Sequence, residues 1–81
     1  MQIKVLGPGC SNCRKTEEVV KQAVAQAGVT AEVVKVTDML EIASHGVMAT
    51  PAVVVDGQVK LAGKVPSLQE VLAWLGRQGA A

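Results

Sequence analysis

The only two cysteines of this 81-residue chain, Cys10 and Cys13, stand three positions apart, directly after a Gly7-Pro8-Gly9 break. On a helical turn that spacing brings two cysteines within disulfide reach, with Cα atoms about 4.4–6.8 Å apart. Two chemistries use such a pair. One is a redox-active dithiol/disulfide couple; the other is capture of a soft metal, Cu(I) or Zn²⁺, by two thiolates. A purely structural bridge fits less well. A four-residue loop gains only about 2 kcal/mol in the chain-entropy model, against about 3 for fifteen residues. Such a bridge holds little together, yet it can open and close without unfolding a domain. Partial positive charge at a helix N-terminus favours thiolate over thiol, and Arg14 and Lys15 add cations. Cys10, the outer sulfur, is therefore expected to react first, and Cys13, one turn further in, second.

The surrounding elements must hold that pair in place. Gln2–Leu6 alternates Gln2 and Lys4 with Ile3 and Val5, the period of a strand, and the glycine-proline break ends it. Over Ser11–Ala27 the period becomes helical. Thr16, Val20, Ala23 and Ala27 share one face, with Val19 and Val24 beside it. Glu17 and Lys21 form a favourable i,i+4 pair, and Gly28 supplies the stop. A Val-rich strand follows over Ala31–Val36. Asp38 and Glu41 resemble a capping box for a short helix, Met39–Ser44, that Gly46 ends. Ala52–Val55 and Gln58–Leu61 flank Asp56-Gly57, a strong hairpin signal. Ser67 and Glu70 form a second capping box, and Leu68, Val71, Leu72 and Leu75 stripe a last helix to Gly76.

The order is βαβαββα, an α/β domain with a mixed four-stranded sheet flanked by three helices. Strand, helix, strand implies a parallel pair with a right-handed crossover. The third strand is expected antiparallel beside the first, which places Thr50-Pro51 near the cysteines. One domain over residues 1–76 and a frayed tail over residues 77–81 are expected. In α/β sheets, chemistry gathers at the carboxyl ends of parallel strands, where Cys10 stands.

Composition narrows the function classes. Hydrophobic residues make up 49% of the chain, yet Trp74 is its one aromatic, so the core is aliphatic. Net charge is +1, and the basic residues are scattered from Lys4 to Arg77. No basic stripe with interleaved aromatics marks a nucleic-acid surface. No apolar run approaches the roughly 20 residues of a membrane span. A strand that begins at Gln2 leaves no room for a leader ahead of it, so a cytoplasmic protein is expected, and a monomer. In a reducing compartment a close cysteine pair points to redox or metal chemistry before structural bridging.

Gly-Pro-Gly-Cys-Ser-Asn-Cys after the first strand, Ala49-Thr50-Pro51 before the third, Asp56-Gly57 in the hairpin and Gly63 beyond it resemble a known family. It is that of the short thioredoxin-like redox-active disulfide proteins of bacteria and archaea, thioredoxins of glutaredoxin size. The resemblance covers residues 2 to 75. It implies a thioredoxin-like fold and a thiol–disulfide oxidoreductase in which Cys10 attacks protein disulfides and Cys13 resolves them. It also implies that Pro51 is cis, with Thr50 and Pro51 meeting the substrate, and that a flavin-dependent thioredoxin reductase supplies electrons. No metal or organic cofactor is implied. Gly9 stands where typical thioredoxins have Trp, and Ser11-Asn12 where they have Gly-Pro. No acidic residue occurs within Gln2–Gly9, so the buried carboxylate of typical thioredoxins has no counterpart. No Gly-Gly-Asp follows the hairpin, which favours a protein reductase over glutathione.

The metal-carrier alternative uses the same two sulfurs. Metal-carrier domains of this kind run βαββαβ and end on a strand, whereas this chain ends on a helix. Two sulfurs are also too few for a closed zinc site. Among other residues, His45 suits a helix C-terminus better than a general base. Met48 either rims the site or fills a gap. Trp74 reads as core, and Gly63 either lets backbone approach the site or ends a strand.

Overall fold

A computed structural model of the chain describes residues 1–9 and 11–80, the last four by backbone alone. The elements in chain order are β1 (Gln2–Leu6), α1 (Ser11–Ala27), β2 (Glu32–Val36), α2 (Met39–Ser44), β3 (Ala52–Val55), β4 (Gln58–Ala62) and α3 (Leu68–Ala80). One mixed four-stranded sheet has the order β2-β1-β3-β4. β1 runs parallel to β2 and antiparallel to β3, which in turn pairs antiparallel with β4. The expected architecture is therefore present.

Alternation along the two central strands builds two cores. Ile3 and Val5 of β1 and Val53 and Val55 of β3 point to the side of α1 and α3, where Val20, Ala23, Val71 and Leu75 meet them. Leu6, Ala52 and Val54 turn to the opposite face and pack with Val36, Ile42 and Val47. All four β3 residues are buried, since both faces of that strand are covered. Trp74 packs half-buried against the first core, as a core residue would. A 17-residue helix is about 25 Å long, and a five-residue strand about 17 Å. α1 therefore overhangs the sheet, and Ala27, expected on its buried face, is exposed.

Asp56-Gly57 closes a two-residue hairpin with Val55 opposite Gln58. Asp56 has φ 47° and Gly57 φ 85°, the left-handed pair that a type I′ turn requires. The turn is tied back to β1: Gln2 N–H donates to Asp56 Oδ1 at 2.7 Å, and Asp56 N–H donates to Gln2 O at 2.8 Å. Between Val53 and Val54 the register with β4 shifts, and β4 runs one residue further than expected, to Ala62. The Glu17–Lys21 pair forms at 3.3 Å, and Lys35 of β2 joins Glu17 at 3.7 Å, linking helix to sheet.

α2 starts on Asp38, whose Oδ1 accepts from Leu40 N–H at 3.3 Å. α3 starts on a reciprocal box. Glu70 N–H donates to Ser67 Oγ at 3.1 Å, and Ser67 N–H donates to Glu70 Oε1 at 3.0 Å. α3 passes through Gly76 to Ala80 instead of stopping there. A glycine inside a helix costs only about 1 kcal/mol, which a packed helix tolerates.

The α3 box has a pH signature. The hydrogen bond from Ser67 N–H, above all, lowers the Glu70 pKa. A lowered folded value means that this contribution to stability is present above the unfolded pKa. It is lost as pH falls through the lower folded value. Ser67→Ala should cost about 1 kcal/mol at neutral pH in urea unfolding. Ser67→Ala keeps that backbone N–H, so the pH dependence is read in Glu70→Gln, whose gap from wild type should narrow well below the ordinary glutamate range. A gap that widened on acidification would contradict the assignment.

Candidate functional site

The site lies where β1 ends and β3 begins. The antiparallel register pairs Leu6 with Ala52, so the next residues outward are Gly7 on one strand and Pro51 on the other. Gly7 N–H donates to Val36 O at 2.9 Å, which extends the sheet bonding one residue past β1. The chain then turns through Pro8 and Gly9 into α1.

Cys13 is in the first turn of α1 and only 4% exposed. Its side chain lies against Gly7: a Cβ placed on Gly7 would overlap Cys13 Sγ and stand 3.1 Å from Cys13 Cβ. The same point is 3.9 Å from Thr50 Cβ. Cys13, Gly7 and Thr50 thus converge, although 37 positions separate Cys13 from Thr50. Cys10 lies outside the described residues, immediately before α1 in sequence. Thr16, fully buried one turn beyond Cys13, donates its hydroxyl to Asn12 O at 2.9 Å. That bond closes over the first turn of α1, on the residue just before Cys13.

The Thr50-Pro51 peptide is cis, as the resemblance implies. Pro51 is buried and Thr50 half-buried. Gly63, just past β4, has φ 88° and donates its N–H to Pro51 O at 2.9 Å. A Cβ on Gly63 would stand 3.3 Å from Ala49 Cβ, so backbone approaches the Ala49–Pro51 segment closely there. Met48, two residues before Thr50, is fully exposed and fills no gap. His45 takes the C-cap of α2, its backbone N–H reaching Ile42 O at 3.2 Å, the place its helix-terminus reading gives it.

Gly7 is the residue that sequence reasoning missed. Inside Gly-Pro-Gly it reads as a strand breaker, whereas in the fold its missing side chain is occupied by Cys13. The available signal was its position: the first residue past the strand, at the sheet end where chemistry gathers.

A helix, α2, follows β2 where the metal-carrier order has a strand. Among the described residues no helix is long and apolar enough to cross a membrane. The profile of a family described as thioredoxin domain matches residues 1–76. A protein named thioredoxin from Methanocaldococcus jannaschii is 46% identical over 69 residues, covering 85% of this chain and 79% of that protein. Another of that name, from Methanothermobacter thermautotrophicus, is 38% identical over 71 residues, covering 88% of this chain and 92% of that protein. With a four-stranded mixed sheet, a proline segment beside a buried cysteine and these two relatives, the chain belongs to the thioredoxin family of thiol–disulfide oxidoreductases.

Proposed function

We propose that this protein reduces protein disulfides through Cys10 and Cys13, in that order. The observation that carries the reading is the burial of the Cys13 sulfur against Gly7. A sulfur so enclosed cannot meet a bulky protein disulfide, which leaves Cys10 as the attacking group and Cys13 as the resolving one.

In the first step the Cys10 thiolate attacks one sulfur of the substrate disulfide. A Cys10–substrate bond forms, the substrate S–S bond breaks, and one substrate thiolate leaves. In the second, the Cys13 thiolate attacks the Cys10 sulfur, forming the Cys10–Cys13 disulfide and releasing the other substrate thiolate. The two protons of the dithiol end on the substrate thiols, and two electrons pass with them. A flavin-dependent reductase of the thioredoxin reductase class returns the pair to the dithiol. No cofactor of the protein's own takes part. The protein works as a monomer in the reducing cytoplasm.

Thr50 and Pro51 complete the docking edge. The Thr50 side chain flanks the point where Gly7 and Cys13 meet, which supports the reading that an extended substrate pairs with the backbone of this segment. Proline offers no N–H that would compete for a sulfur. Met48, fully exposed two residues before Thr50, adds an adaptable apolar contact for a substrate.

Insulin reduction by dithiothreitol tests the proposal. Catalytic amounts of the protein should accelerate precipitation of the reduced insulin chains well beyond the reagent alone. A rate equal to that of the reagent would overturn the reading.

A further inference from the structure

Gly7 is buried, and its φ is not among the positive ones, so conformational freedom does not explain a glycine there. Space does. Any β-carbon at this position would take the place of Cys13 Sγ and press on Cys13 Cβ. The backbone cannot retreat cheaply. Gly7 N–H is bonded to Val36 O, and Leu6 before it is registered to both Val36 and Ala52. Cys13 is held from its own side as well, through the Thr16 hydroxyl on Asn12 O, the residue just before it on α1.

We propose that Gly7 is a positioning residue for the buried thiol: its missing side chain is the slot that holds the Cys13 sulfur at the end of β1. The proposal rests on the reading that Cys13 resolves the mixed disulfide. Resolution requires the Cys13 thiolate to approach the Cys10 sulfur in line with the bond that breaks. A methyl group in the slot displaces the sulfur, so the second step and the dithiol/disulfide equilibrium change while the first step does not.

Gly7→Ala tests this. The equilibrium of the pair against a dithiothreitol buffer should move at least about tenfold, which is about 30 mV for a two-electron couple. Release of substrate from the mixed disulfide should slow by about tenfold or more, with the rate of its formation unchanged. Val20→Ala, a core truncation on the same helix, serves as the stability control and should leave the equilibrium where it is. An unmoved equilibrium in Gly7→Ala, or an equal shift in Val20→Ala, would overturn the proposal.

A stability cycle reads the slot without any substrate. Gly7→Ala should destabilise the protein much more when residue 13 is cysteine than in the Cys13→Ala background, where only the close Cβ contact remains. If Gly7→Ala does not fold, the double variant still should. An equal loss in both backgrounds, or failure of the double variant to fold, contradicts the slot. A wild type that leaves insulin untouched while the cycle shows the coupling would sink the disulfide-reductase reading and leave the slot standing.

Discussion

Cys10→Ser should abolish protein-disulfide reduction, while Cys13→Ser should stall it with the substrate still attached. A serine hydroxyl stays protonated at neutral pH and does not attack a disulfide, so the first step is lost outright. The expected fall is on the order of a thousandfold or more, the scale seen when a covalent nucleophile is removed. On the proposed order of attack, Cys13→Ser keeps the attacking thiolate and loses the resolving one. Mixed disulfides with client proteins should then accumulate and run as dithiothreitol-sensitive adducts on non-reducing gels. Cys13→Ala is the companion variant, because it removes the sulfur without putting a hydroxyl in the buried space. Adducts should form in both Cys13 variants and be absent from Cys10→Ser. Equal trapping by Cys10→Ser and Cys13→Ser would defeat the ordered exchange. None of these variants should unfold the domain, since so short a loop contributes only about 2 kcal/mol.

Much of the scaffold was legible in the sequence because its signals are local. Gly7-Pro8-Gly9, Gly28, Asp38 and Asp56-Gly57 punctuate the chain, and β1, α1, α2 and β3 begin and end where those residues place them. The Ser67–Glu70 box is reciprocal, as an i,i+3 spacing allows. What escaped depends on length and on contacts between distant residues. Periodicity groups Ala27 with Ala23 but does not record that the helix outruns the sheet. Gly76 carries a stop signal that α3 overrides at small cost. Lys35 meets Glu17 only once β2 lies beneath α1. That the Thr50-Pro51 segment would stand near Cys13 was legible from the strand order. The Gly7 slot was not, because its occupant comes from six positions downstream and its third wall, Thr50, from a different loop.

The two faces of the sheet should answer truncation differently. Leu75 and Leu6 are both fully buried, one in each core. Leu→Ala in a core costs about 2–5 kcal/mol, and the position in that range depends on how far the surroundings collapse into the cavity. Leu75 is walled by two long helices and the β1 and β3 side chains Ile3, Val5, Val53 and Val55. None of these can settle without disturbing the others. Leu6 faces α2, six residues long, whose one buried residue is Ile42. That helix can sink toward the sheet and refill part of the space. Leu75→Ala should therefore cost near the upper end of the range and Leu6→Ala near the lower. For a domain of this size total stability is about 4–12 kcal/mol, so Leu75→Ala removes a large share of it. Each kilocalorie lowers the melting temperature by about 4–8 °C, which separates the two variants clearly. Urea unfolding should show the midpoints falling in that order with unchanged slopes. The reverse order would mean that α2 is as rigidly packed as α1 and α3, against the single side chain that anchors it.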